Sequence, residues 1–208
     1  MLNEIRVGII NAIAGAVNPA RADKSGALVV TQGHGTFQEA VDNGHVFAVA
    51  NQTGVAMAAG LAAAIPPLWL HNPAGSEKKL AVWYVGVTFN VIFAAIAAVF
   101  VAVCSDVNAA APTGTLTTTH RNMKIGASND CAAIPYLAGT TAAAPVAIGL
   151  LGSGLTGVVA LASQIKPLEK WYNGGLILMP GTSMSLQSQA ASGALGALCE
   201  YIWEEIPI

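Results

Sequence analysis

The chain has 208 residues, enough for one domain with a sizeable core, and only 10% of them are charged, where a soluble domain usually carries about 25%. So few charges belong either to a protein in lipid or to one that buries much of its surface against protein partners. Nine basic and eleven acidic residues are scattered without a basic stripe, which argues against a nucleic-acid partner.

At the N-terminus Leu2, Ile5, Ile9 and Ile13 recur at helical spacing, predicting a short amphipathic helix over 2–14 that ends at Asn18-Pro19. These four apolar residues are the candidate contacts of an arm that docks on a neighbouring subunit. Glu4 stands where a secretory signal would be basic, so no cleaved signal is expected. Residues 19–27 are small, charged and turn-prone, and they read as a linker. The expected organisation is therefore an arm and linker over 1–27 and one domain over 28–208.

From residue 28 the chain turns to short apolar runs separated by turn chemistry. Residues 28–31 and 46–50 read as strands, and Pro66-Pro67 forces a new strand to start at Leu68 and run to His71. The polar turn 71–77 leads into 80–104, twenty-five residues without a charge. As one helix this run would cross a bilayer, since about 20 apolar residues suffice. Its β-branched content and the alternation Val85, Gly86, Val87, Thr88, Phe89, Asn90, Val91 instead predict two strands joined near 94–98. The threonines of 115–119 favour extended backbone. The next charge-free stretch, 131–165, is broken by prolines and glycines too often for a spanning helix.

The last forty residues read as strand 176–179, turn Pro180-Gly181, strand 183–187 and strand 198–204, with Asn173-Gly174 as a further turn. In the final strand Cys199, Tyr201 and Trp203 share one face, and Glu200 and Glu204 share the other. Many short strands without interleaved helices predict an all-β protein, an antiparallel β-sandwich or barrel.

Catalytic chemistry is sparse. Gly152-Ser153-Gly154-Leu155-Thr156-Gly157 matches the GxGxxG of dinucleotide sites, but that motif needs a βαβ unit and a later acid, and only Glu169 is near. His34, His45, His71 and His120 fall in or beside turns and lack zinc-site spacing. Ser153 lacks the nucleophile-elbow pattern, and the adjacent Glu204 and Glu205 point to opposite faces of a strand. Neither an enzyme nor a metal or cofactor site is expected. Cys104, Cys131 and Cys199 are odd in number and far apart, which suits reduced, buried thiols in a protein made in the cytoplasm. Trp69, Trp83, Trp171 and Trp203 read as core or subunit-contact residues.

Several segments in order resemble the jelly-roll head decoration or cement proteins of tailed bacteriophages. They are Thr31-Gln32-Gly33-His34-Gly35, Gln38-Glu39-Ala40, Gly44-His45-Val46-Phe47 and Leu70-His71-Asn72-Pro73-Ala74-Gly75-Ser76. Asn173-Gly174-Gly175-Leu176-Ile177-Leu178, Pro180-Gly181 and Trp203-Glu204-Glu205-Ile206-Pro207 complete the set. The resemblance covers 31–208 and leaves out the first thirty residues. It implies a jelly-roll-like sandwich on the virion surface that clamps the major capsid protein as a homotrimer, with no substrate, cofactor, nucleic acid or membrane. Two other readings stand beside it. One is a small integral membrane protein with spans at 82–104 and 141–165; the other is a nucleotide-binding enzyme resting on 152–157.

Overall fold

In the computed structural model of the protein the described residues are 8–10, 17–19, 37–61, 66–90, 97–105, 111–117, 119–141, 143–154, 167–192 and 196–208. The chain divides into two compact units, 1–39 and 40–208. In the first, strand β1 (Gly8–Ile10) pairs antiparallel with β2 (Val17–Pro19), setting Ile9 opposite Asn18. The backbone around Ile9 is thus extended, not helical as its spacing predicted. Ile9, Ile10 and Val17 are β-branched and Gly8 weakens a helix, so local propensity favours the ribbon. Leu2, Ile5 and Ile13, and the strand expected at 28–31, lie outside the described residues.

The second unit is an all-β sandwich of two antiparallel sheets. Its elements are a one-turn helix α1 (Gln38–Asp42), then β3 (Val46–Ala50), β4 (Leu68–His71), β5 (Lys78–Phe89) and β6 (Ala97–Cys104). Next come β7 (Thr113–Leu116), β8 (Arg121–Asn122), β9 (Ile134–Thr140) and β10 (Val146–Gly154), followed by β11 (Leu168–Leu178), β12 (Ser183–Ser188) and β13 (Ala197–Pro207). One sheet has the order β10-β6-β12-β4-β9-β7 and the other β11-β5-β13-β3-β8. Set aside β7, β8 and β9, and eight strands remain. In chain order the first, eighth, third and sixth form one sheet, and the second, seventh, fourth and fifth form the other. That is the jelly-roll arrangement, in which two interlocked Greek keys wrap one core.

The charge-free run 80–104 is therefore two strands in opposite sheets. Alternation buries Val85, Val87 and Phe89 of β5 and Ala97, Val99 and Val101 of β6 in the same core. Of the joint expected near 94–98, Ala97 and Ala98 belong to β6, and 94–96 lie outside the described residues. No described helix is long and apolar enough to cross a membrane. In the second proposed span, 146–154 is strand β10.

Opposing side chains lock the sheets together. Tyr201, fully buried on β13, donates its hydroxyl to Leu68 O at 2.9 Å and accepts from Leu186 N at 3.0 Å, so a residue of one sheet is bonded to two strands of the other. Trp203 stacks on Phe47 with ring centroids 6.0 Å apart. Trp69 packs over Gly139 and donates Nε1–H to its carbonyl at 3.1 Å. Any side chain at residue 139 would strike the indole, since a Cβ there would lie 2.7 Å from it.

Two expected elements have a different form. Asn173-Gly174 lies inside β11, where both residues take positive φ and four residues, 172–175, face the single Trp83 of β5. The asparagine and glycine make a bulge, because both residue types tolerate the left-handed region. The threonine strand is Thr113–Leu116, two residues earlier than expected.

Candidate interaction surfaces

Residues with chemical potential are dispersed. Among the described residues no group of three metal-ligating side chains converges. His71 is buried with Nδ1 3.0 Å from Ser183 Oγ, and burial lowers its pKa against a raising contribution from the Thr182 backbone. His120 Nε2 lies 3.0 Å from Asn129 O, the carbonyl of His45 accepts Glu205 N–H, and His34 is outside the described residues. Gly152, Ser153 and Gly154, the described part of the GxGxxG, sit in β10 opposite Val99, Ala98 and Ala97 of the antiparallel strand β6. A dinucleotide site needs those glycines in a turn that opens a helix, so this segment is not one. Cys104, Cys131 and Cys199 are free thiols. Burial raises all three; at Cys131, pushed up to about 12, the Glu205 charge adds to it.

The insertion between β6 and β10 closes one long side of the sandwich. β9 extends the first sheet beyond β4, β7 extends it again, and β8 covers β3 of the second sheet. Glu205, 1% exposed at the end of β13, is the clasp: Oε1 accepts Ala132 N at 2.7 Å and Ala133 N at 3.0 Å, and Oε2 pairs with Lys78 Nζ at 2.8 Å. Asn122 donates to Gly44 O at 2.7 Å, and its Oδ1 accepts Lys124 N at 2.8 Å. Thr119 Oγ1 donates to Ala50 O at 3.1 Å. Glu204 and Glu205 do diverge; one is half-buried on the outer face while the other points inward.

The opposite long side ends in β10 and β11, the terminal strands of the two sheets. β10 has no charged residue, and its alternation leaves Val146, Ile148 and Leu150 exposed at 62%, 47% and 65%. Ladder irregularities between Ala147 and Gly149 and between Leu150 and Gly152 twist this edge. No lysine or proline stands within β10 itself, so its edge is guarded by these bulges and by Lys170 and Tyr172 of β11 beside Gly149. On β11, Lys170 Nζ stands 4.9 Å from the centroid of the Tyr172 ring.

The outer face of the five-stranded sheet carries a third surface. One register row across it reads Trp171, Tyr84, Ile202, Ala48, Arg121, and the next reads Glu169, Gly86, Glu200, Ala50. Tyr84 folds over Gly86, where a Cβ would lie 2.6 Å from the phenol oxygen, and it donates to Glu169 Oε2 at 3.0 Å. Trp171 leans on it with centroids 4.8 Å apart and planes at 57°. Desolvation, then the hydrogen bond and charge of Glu169 and the charge of Glu200, push the Tyr84 hydroxyl up to about 12. Desolvation also raises Glu200. Of the four tryptophans Trp69, Trp83 and Trp203 are buried, and Trp171 is 54% exposed.

Reading the residues alone missed both exposed surfaces. The signals were present: apolar residues at 146, 148 and 150 with small residues between, and Glu169-Lys170-Trp171-Tyr172, which alternates as a strand.

Together these features define a jelly-roll domain with one closed side, one open apolar side and one aromatic outer face. Neither a family model, nor a curated protein, nor a solved structure matches the chain.

Proposed function

We propose that the protein is a virion structural subunit, a decoration or cement protein that coats a bacteriophage head, associates with itself as a trimer and clamps the major capsid protein. The observation that carries this reading is the open β10 edge. A strand with no partner on one side among the described residues, and with Val146, Ile148 and Leu150 exposed, is a template for a second protein chain. The low charge of the whole chain agrees, since a particle subunit covers much of its surface with neighbours. Jelly rolls serve capsids, lectins and enzymes alike, so the fold permits this role without specifying it. The Cys131 and Cys199 thiols, raised by burial, suit structural cysteines rather than nucleophiles.

Light scattering on the detergent-free purified protein tests the reading. A trimer is expected, and Ile148→Lys with Leu150→Lys should convert it to monomer while the domain stays folded. A wild-type protein that is monomeric at all concentrations overturns self-association through β10. Electron microscopy of heads mixed with the protein, with or without the double substitution, tests attachment to the capsid.

A further inference from the structure

We infer that the Trp171–Tyr84 corner on the outer face of the five-stranded sheet is a binding site for a guanidinium group, the arginine side chain of a partner protein. The inference concerns a different surface from the β10 edge and does not depend on it. Trp171 stands exposed beside Tyr84, and the phenol is held in place from two directions, by the bare Cα of Gly86 beneath it and by Glu169 at its hydroxyl. A binding surface held this way loses little side-chain freedom on capture.

The polar groups around the rings select the ligand. Glu169 and Glu200 are the register partners of Gly86 on its two sides, so one carboxylate flanks the phenol from each neighbouring strand. With strands about 4.8 Å apart, their backbones are about 10 Å from each other. Both are acceptors, and the only hydroxyl proton at the corner is already given to Glu169. A sugar offers donors and acceptors together, and the Trp171 indole N–H is a single donor to set against its many acceptors. Guanidinium offers five donors and no acceptor, and its plane stacks on aromatic faces.

Charge on the face points the same way. Arg121 lies in the same row as Tyr84 but three strands away, about 14 Å at ordinary strand spacing. Lys79 is five residues up β5 from Tyr84, at about 3.3 Å per residue. Lys170, next to Trp171 in sequence, has its ammonium over Tyr172, since adjacent strand residues face opposite ways. Among the described residues the two carboxylates are therefore not answered by a cation of this face, and a cation from outside would answer them.

Because the other three tryptophans are buried, the Trp171 indole N–H gives a selective signal in proton–nitrogen spectra. The probe is the capped tripeptide Gly-Arg-Gly, titrated beside the same peptide with citrulline, which keeps the shape and removes the charge. The arginine peptide should shift the Trp171 signal saturably, and the citrulline peptide should bind about tenfold more weakly or not at all. Glu200→Gln should weaken arginine-peptide binding about threefold or more without lowering the thermal midpoint. Trp171→Ala, followed by calorimetry, should abolish it. Equal binding of the citrulline peptide, no saturable shift with arginine, or a preference for maltohexaose over the arginine peptide overturns the assignment. None of these outcomes alters the light-scattering result, so failure here is distinguishable from failure of the β10 reading.

Discussion

The two long sides of the sandwich solve the problem of a sheet edge in opposite ways. On the β7–β8–β9 side, an insertion extends the roll and polar side chains bind it down: buried Glu205 and Asn122 and half-buried Thr119 accept or donate at 2.7–3.1 Å. On the β10–β11 side Leu168, Lys170 and Tyr172 of β11 lie against Gly149 and Gly152 of β10, and the exposed large side chains of β10 are valine, isoleucine and leucine. The first arrangement stabilises one chain by itself. The second leaves apolar side chains of β10 exposed among the described residues.

The sharpest way to break the comparison is at Glu205. Glu205→Ala leaves Ala132 N–H and Ala133 N–H without their acceptor and Lys78 without its partner, and a loss of about 3 kcal/mol is expected in urea unfolding. Oligomerisation at a given folded concentration should be unaffected. Asn122→Ala removes the bond to Gly44 O and the acceptor for Lys124 N at a buried position, for about 1–2 kcal/mol in the same measurement. On the open side the order of effects inverts. Ile148→Lys with Leu150→Lys should change monomer stability by less than about 0.5 kcal/mol, as exposed substitutions usually do, while raising the self-dissociation constant about tenfold or more.

The smallest effect concerns pH. Burial raises the Glu200 carboxyl above its ordinary 4.5, so the folded protein holds that proton to higher pH than the unfolded chain does. Ionised Glu200 therefore costs stability at neutral pH, and the cost fades as pH falls through the raised value towards 4.5. Glu200→Gln should stabilise the domain at pH 7 by about a few tenths of a kcal/mol, given the exposure of this residue, and should make no difference near pH 4. A gain that grows on acidification would contradict the assignment of burial as the cause.

Much of the architecture was legible because period-two alternation is a local property. The bounds of β3 and β4, the split of 80–104 into two strands, the Pro180-Gly181 turn and the buried face Cys199, Tyr201, Trp203 all follow from neighbours two residues apart. Asn173-Gly174 was misread as a chain reversal for the same reason: positive φ is a local demand, and a bulge meets it as well as a turn does. The helical spacing around Ile9 was real but competed with β-branched residues that the ribbon accommodates better.

What the residues alone determined is the all-β class, the buried alternation at Val85, Val87 and Phe89, the buried face Cys199, Tyr201 and Trp203, and the scarcity of charge. Only the tertiary structure decided which strands are neighbours. Trp171 and Tyr84 are far apart in the chain, as are Glu205 and Ala132, and each pair meets through strand order and register. Those are set by how two Greek keys close around one core, a long-range balance of burial that no window of sequence contains.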